Sequence, residues 1–197
     1  APPRAAGDDA TAYDASVPTV PWAAATFETK DFLGNEFLIW LWRLCEQEEG
    51  LTEIDIRSRR TELGLAIDKT LEMECAWGAT GKQSLRGDGP TRLPEAGDAL
   101  RGGKWPRKIG LLMSVEDIAY ELTLQGDRWS VSSAAVPPVE DADSEREVIE
   151  QRIQWTRQLA AGLDGLFITF LNRRFGKTWS TQRDTLTQWI KQRRGGG

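Results

Sequence analysis

Ile109-Gly-Leu-Leu-Met-Ser-Val-Glu-Asp-Ile-Ala-Tyr-Glu-Leu-Thr-Leu-Gln-Gly-Asp-Arg-Trp-Ser-Val131 is the stretch on which the fold turns. Apolar side chains fall on every second residue at Ile109, Leu111 and Met113, and again at Ile118, Tyr120, Leu122 and Leu124. That is the period of a strand with one buried and one wet face. Glu116-Asp117 separates the two runs as a turn, and Gln125-Gly126-Asp127 leads to a third at Trp129 and Val131. Three successive antiparallel strands are the simplest reading.

Upstream, the same period recurs at Leu63, Leu65 and Ile67 and at Leu71, Met73, Cys75 and Trp77, with the polar Asp68-Lys69-Thr70 between them. This pattern predicts a hairpin. Leu51, Ile54 and Ile56 suggest a shorter strand before it. Between the two strand regions, Thr91 as a cap, Pro94 near a first turn and Gly102-Gly103 as a stop define a short helix. Earlier still, Asp31 is a candidate N-cap, followed by Leu33, Phe37, Trp40, Leu41 and Leu44 at helical spacing. Phe32, Leu38, Ile39 and Trp42 fill the other faces, so this helix is expected to be covered on most sides.

Downstream, Pro137-Pro138 and the acids Glu140, Asp141 and Asp143 end the sheet. From Ser144 to Phe175 the residues Ile149, Ile153, Thr156, Ala160, Leu163, Phe167 and Phe170 advance by alternating four and three, a heptad that predicts a helix packed along its length. Gly162 and Gly165 would let a neighbour approach closely. A last helix, from Thr178 through Trp179, Leu186, Trp189 and Ile190, ends in Arg193-Arg194 and a glycine tail. The expected fold is therefore α+β: an antiparallel meander sheet flanked by a buried N-terminal helix, a short helix, a long C-terminal helix and a terminal helix. Residues 1–27, rich in Ala, Pro, Asp and Thr without apolar periodicity, read as a linker, and 28–197 as one domain.

Composition narrows the function classes. Of the 197 residues, 40% are hydrophobic and 28% charged, which suits a folded chain, and nine tryptophans concentrate apolar area that must be buried or used at an interface. No apolar run approaches the roughly 18 residues of a membrane-spanning helix. Ala1 to Asp9 carries Pro and acid but neither Met nor a hydrophobic segment, so the expectation is no secretory signal and a fragment of a longer chain. Cys45 and Cys75 stand in apolar surroundings and are expected to be buried thiols, as in a reducing cytoplasm.

Histidine is absent, which removes Ser-His-Asp and Cys-His nucleophilic sites and His-ligated zinc. Gly78-Ala79-Thr80-Gly81-Lys82 has too few residues between its glycines for a phosphate loop, and Gln follows its lysine. Asp68, Lys69, Glu72 and Glu74 have the spacing of a metal-dependent nuclease site, but Glu72 and Glu74 alternate with Leu71, Met73 and Cys75 as the wet face of any half-buried strand does. No metal or cofactor is expected.

The net charge of −5 argues against adhesion to nucleic acid through bulk charge, so distribution matters. Lys82, Arg86, Arg92, Arg101, Lys104, Arg107 and Lys108 face only Asp88, Glu95 and Asp98 within their segment, a local balance of +4. Arg173, Arg174, Lys177, Arg183, Lys191, Arg193 and Arg194 face only Asp184, a balance of +6. Each patch reads as a phosphate-contact surface or as a solvated face, and the second equally as cations complementing helix C-termini.

Three stretches carry a family resemblance. Asp31-Phe-Leu-Gly-Asn-Glu-Phe-Leu-Ile-Trp-Leu-Trp42 resembles the segment opening the C-terminal half of the RdgC family, recombination-associated DNA-binding proteins of bacteria. Gly89-Pro-Thr-Arg-Leu-Pro-Glu-Ala96, with Ala99-Leu-Arg-Gly-Gly-Lys104 and Arg107-Lys108, agrees in order, as do Tyr120-Glu-Leu-Thr-Leu124 and Leu163-Asp-Gly-Leu-Phe167. The resemblance implies binding of duplex DNA without strong sequence preference, by a homodimer whose chains form a positively lined ring. It implies that Arg86, Arg92, Lys104, Arg107 and Lys108 face the hole. The family's N-terminal half, which closes that ring, is missing here, so an open dimer is implied. The family also carries an exonuclease label.

The reading is a non-enzymatic, cytoplasmic, nucleoid-associated binder of double-stranded DNA, with Lys82, Arg86, Arg92, Arg101, Lys104, Arg107 and Lys108 as its contacts. The alternatives are a protein assembly module built on the tryptophans and the heptad, and a Mg²⁺-dependent nuclease.

Overall fold

The computed structural model describes residues 31–47, 50–56, 59–75, 81–139, 142 and 144–193. Along the chain these form α1 (Asp31–Gln47), β1 (Leu51–Ile56), β2 (Arg59–Cys75), β3 (Lys82–Gly87), a 3₁₀ turn (Pro90–Arg92) and α2 (Pro94–Arg101). They continue as β4 (Lys104–Val115), β5 (Ile118–Gln125), β6 (Ser130–Ala135), α3 (Glu145–Arg174) and α4 (Trp179–Gln192). The result is an α+β fold around a six-stranded antiparallel sheet of order β1-β2-β4-β5-β6, with β3 also paired to β2. The linker expected before residue 28, Trp77 and most of the glycine-lysine stretch lie outside the described residues.

The meander read from Ile109 onward is present. Val115 pairs with Ile118 across Glu116-Asp117, whose φ values of 49° and 69° put both turn residues in the left-handed region of a tight hairpin. Residues 59–75, by contrast, are one continuous strand and not the expected hairpin. Asp68-Lys69-Thr70 is a bulge: Ile67 lies opposite Leu111 and Leu71 opposite Ile109, so four steps on β2 span two on β4. Lys69 takes φ 58° there. Gly110 makes room, because a Cβ on it would lie 2.2 Å from the Asp68 carbonyl oxygen. The misreading has a plain cause. Ile67 and Leu71 both face inward, so the alternation stays in phase across the bulge, and β4 pairs with β2 on both sides of it.

One face of the sheet carries the core. Leu63, Leu65, Ile67, Leu71 and Met73 of β2, Ile109, Leu111, Met113 and Val115 of β4, and Tyr120, Leu122 and Leu124 of β5 are all buried. Over them lies α1, whose Phe37 to Trp42 are buried without a break, with Leu44 buried beyond the half-buried Arg43, as expected of a helix with apolar residues on most faces. Gly34 meets the β5–β6 turn backbone to backbone: a Cβ on it would lie 1.9 Å from the Gly126 oxygen.

The α2 helix starts at Pro94 with Leu93 in the cap position and no side-chain cap bond. Thr91 is therefore not its cap; it is buried in the preceding 3₁₀ turn. Ser144 does cap α3, accepting from the Glu147 N–H at 3.3 Å. As expected, Gly162 and Gly165 bring α3 close to its neighbours, against Met113 and Val115 and against Ile54 and Ile56.

The heptad does not pack along its length. Leu163, Phe167 and Phe170 join the core, and Phe37 contacts Phe167 and Phe170 at ring centroid distances of 5.4 and 5.5 Å. Ile149 and Ile153, however, are 52% and 46% exposed. Burial on α3 begins in earnest at Leu159, because the helix's N-terminal turns run past the elements that cover the rest. Both cysteines are free and half-buried. Burial, with Glu46 adding to it, pushes the Cys45 thiol up to about 12. No helix among the described residues is long and apolar enough to cross a membrane.

Candidate nucleic-acid interface

The face of the sheet turned away from the helices is wet, and β2, β3 and β4 bring charged residues together on it. Glu72 lies opposite Lys108 on one side and Ser84 on the other, and Glu74 lies opposite Lys82. Alternation along β3 sets Lys82, Ser84 and Arg86 on one face. The β5–β6 turn adds Asp127 and Arg128, because Lys108 pairs with Gln125.

These residues line an open cleft of about 240 Å³: Lys82, Arg107, Lys108 and Arg128, with Glu72, Glu74, Asp127, Met73 and Gln125. The Lys82 ammonium is 3.0 Å from Glu72, and that of Lys108 is 3.4 Å from the other oxygen of the same carboxylate. Arg107 is 2.9 Å from Asp127 and 3.7 Å from Glu74, and Arg128 is 3.9 Å from Asp127. The Lys82 hydrogen bond, backed by the charge of Lys108, holds the Glu72 carboxyl below the usual carboxylate range despite partial burial. Four cations against three carboxylates leave the cleft at a formal charge of +1.

The remaining cations of the first basic segment are placed differently. Arg86, on β3, is exposed and has no ion-pair partner among the described residues, and the same holds for Arg92 in the 3₁₀ turn. Arg92 belongs to a separate groove with Asp68, Asp88 and Arg193. Arg101 pairs with Asp98 within α2. Lys104 donates to the Gln83 side-chain oxygen at 3.1 Å. Of the seven sequence-named residues, then, Lys82, Arg107 and Lys108 meet in the cleft, Arg86 extends the same face, and Arg92, Arg101 and Lys104 stand apart. Arg128 was missed because it lies outside both basic segments; the signal was its position in the turn after Gln125, the register partner of Lys108.

Three cations of the second basic segment, Arg173, Arg174 and Arg193, are spent inside the fold. Arg174 pairs with the buried Glu36 at 2.6 Å, and Arg193 pairs with Glu46 at 2.6 Å while lying 4.5 and 4.9 Å from the rings of Trp42 and Trp189. Arg173 stacks over Trp40 at 5.5 Å, and Arg183 is 3.6 Å from Asp184. Lys177 and Lys191 are exposed.

The carboxylates considered for metal chemistry also have structural partners. Asp68 accepts the Gly89 N–H at 3.3 Å, and Lys69 is 2.6 Å from Glu121. Among the described residues no group of three or more Cys, Asp or Glu is arranged to hold a metal ion. Comparison of the chain with family models, with curated proteins and with solved structures returns no match.

Proposed function

We propose that the chain binds duplex DNA through its backbone phosphates, with little sequence preference and without catalysing a reaction, as a homodimer acting in recombination or in organising the nucleoid. The observation that carries this reading is the meeting of Lys82, Arg107, Lys108 and Arg128 in one open cleft, with Arg86 continuing the same face of the sheet. The resemblance of three ordered stretches to the RdgC family supports it. Because the whole chain is negative, attraction must be local, and each phosphate neutralised there releases counterions.

The test is titration of a labelled duplex at several salt concentrations. Affinity should fall with salt, and a Lys82→Ala/Arg107→Ala/Lys108→Ala variant should bind more weakly, its log–log salt slope shallower by about 2 to 3 units. Arg101→Ala should leave both unchanged, since it sits on α2 outside the cleft, paired with Asp98. Absence of binding at about 50 mM salt, or affinity indifferent to salt, would overturn the proposal. Duplex incubated with Mg²⁺ or Mn²⁺ should remain uncut.

A second reading, assembly with a protein partner, is favoured by the bare half of the α3 heptad. Ile149, Ile153, Thr156 and Ala160 are exposed where Leu163, Phe167 and Phe170 are covered. In an antiparallel pair of α3 helices, Glu150 of one copy would face Arg157 of the other. Light scattering with and without DNA separates the two readings: self-association without DNA affinity leaves assembly alone.

A further inference from the structure

In the cleft every carboxylate is held by a cation, and two of them serve two cations each. Glu72 takes Lys82 and Lys108, and Asp127 takes Arg107 and Arg128. Glu74 adds a second acid to Arg107. These acids sit within the lining and not on a distant rim, and the Glu72 side chain is only 15% exposed. A phosphate entering here meets lysines already oriented by an anion and must displace or share that anion. Resting on the DNA-binding reading, we infer that Glu72 and Asp127 are built-in competitors of the phosphate backbone, internal counter-ions that hold the four cations in position and cap the affinity of the site.

The exchange has a definite chemical sense. One phosphate replacing one carboxylate trades an anion for an anion and gains little. A duplex offers one charge per about 1.7 Å of its axis. It can therefore meet the Lys82–Lys108 pair, the Arg107–Arg128 pair and Arg86 together, so the gain grows with the number of phosphates engaged while the cost stays fixed at the displaced acids. Glu72, held below the usual carboxylate range, is charged at neutral pH, so the competition operates there without a change of protonation.

The experiment measures duplex affinity and salt slope for the full chain and for Glu72→Gln, Asp127→Asn and Glu53→Gln. Glu53 pairs with Arg60 at the β1 edge, away from the cleft, and controls for the loss of one negative charge. Glu72→Gln should tighten binding by roughly 3- to 10-fold and steepen the slope by up to about 1 unit, because lysines otherwise shared with an internal anion then serve phosphates alone. Asp127→Asn should act in the same direction, and Glu53→Gln should match the parent chain. Circular dichroism establishes that each variant is folded; if Glu72→Gln is not, Asp127→Asn decides. A parent chain that binds DNA alongside folded variants that bind equally or less tightly would sink the competition and leave DNA binding standing. Equal tightening by Glu53→Gln would sink it too, in favour of bulk charge. No binding by the parent chain or by any variant would remove both readings.

Discussion

At the scale of single residues, two positions are fixed by contacts that leave no slack. Gly110 lies beneath the β2 bulge, where an added Cβ would meet the Asp68 carbonyl at 2.2 Å. The obstacle is backbone, which cannot swing aside as a side chain can. Gly110→Ala should therefore lower stability by about 1–3 kcal/mol in urea denaturation, the usual range for overpacking; an unchanged midpoint would mean that the bulge relaxes freely. Glu36 and Arg174 are the second case. Burial raises the Glu36 carboxyl above its ordinary value, and the hydrogen bond and charge of Arg174 act against that rise. A folded-state pKa that is raised favours the native state below the unfolded value, and the benefit is lost as pH climbs through the folded value. Removing Arg174 leaves a buried, uncompensated carboxylate at neutral pH, a change that typically costs about 3–5 kcal/mol. The loss in Arg174→Ala should be largest near neutrality and shrink at acidic pH, once Glu36, whose value burial raises, has taken up a proton. Denaturation curves at neutral and acidic pH measure this, and a pH-independent loss would assign the effect to packing.

At the scale of elements, α3 is one helix with two environments. Its C-terminal half contributes Leu166 and Phe170 to the core, and Gln158 ties its middle to the β4–β5 hairpin by accepting from the Tyr120 hydroxyl at 3.0 Å. Its N-terminal turns expose Ile149 and Ile153. Ile153→Ser should accordingly change monomer stability by no more than about 0.5 kcal/mol, as surface substitutions do. The corresponding change at a buried site of the same helix, Leu166→Ala, should cost about 2–5 kcal/mol. Thermal melts of the two variants compare them directly, and a large loss in Ile153→Ser would place that turn against the domain. The heptad was legible in the sequence, but which of its turns find a neighbour was not. Spacing fixes which side chains share a stripe, whereas coverage depends on how far α1 and the sheet extend beneath it.

At the scale of the whole molecule, Arg193 closes the fold. From the end of α4 it reaches Trp42 and Glu46 of α1, Trp189 of its own helix, and the Thr91 carbonyl in the 3₁₀ turn at 2.6 Å. Arg193→Ala should loosen α4 first, seen as faster amide exchange in Trp179–Gln192 with β4 and β5 still protected; uniform acceleration would show that the helix does not detach by itself. The same residue shows why charge read along a chain misleads. Arg174 and Arg193 counted towards a basic patch, yet the fold turns both inward onto Glu36, Glu46 and indole rings, partners more than 130 positions away for the two acids. Arg128, counted in neither patch, reaches the cleft through a turn. The sequence by itself determined the strand and helix periods, the buried character of α1, the Glu116-Asp117 turn and the α+β class, because these depend on side-chain spacing and local backbone preference. Only the tertiary structure decided that residues 59–75 run straight through a bulge, that half of α3 stays bare, and that the cleft's cations are shared with Glu72, Glu74 and Asp127. Those outcomes depend on pairing between distant segments, and an ion pair is set by distance in space and not by distance along the chain.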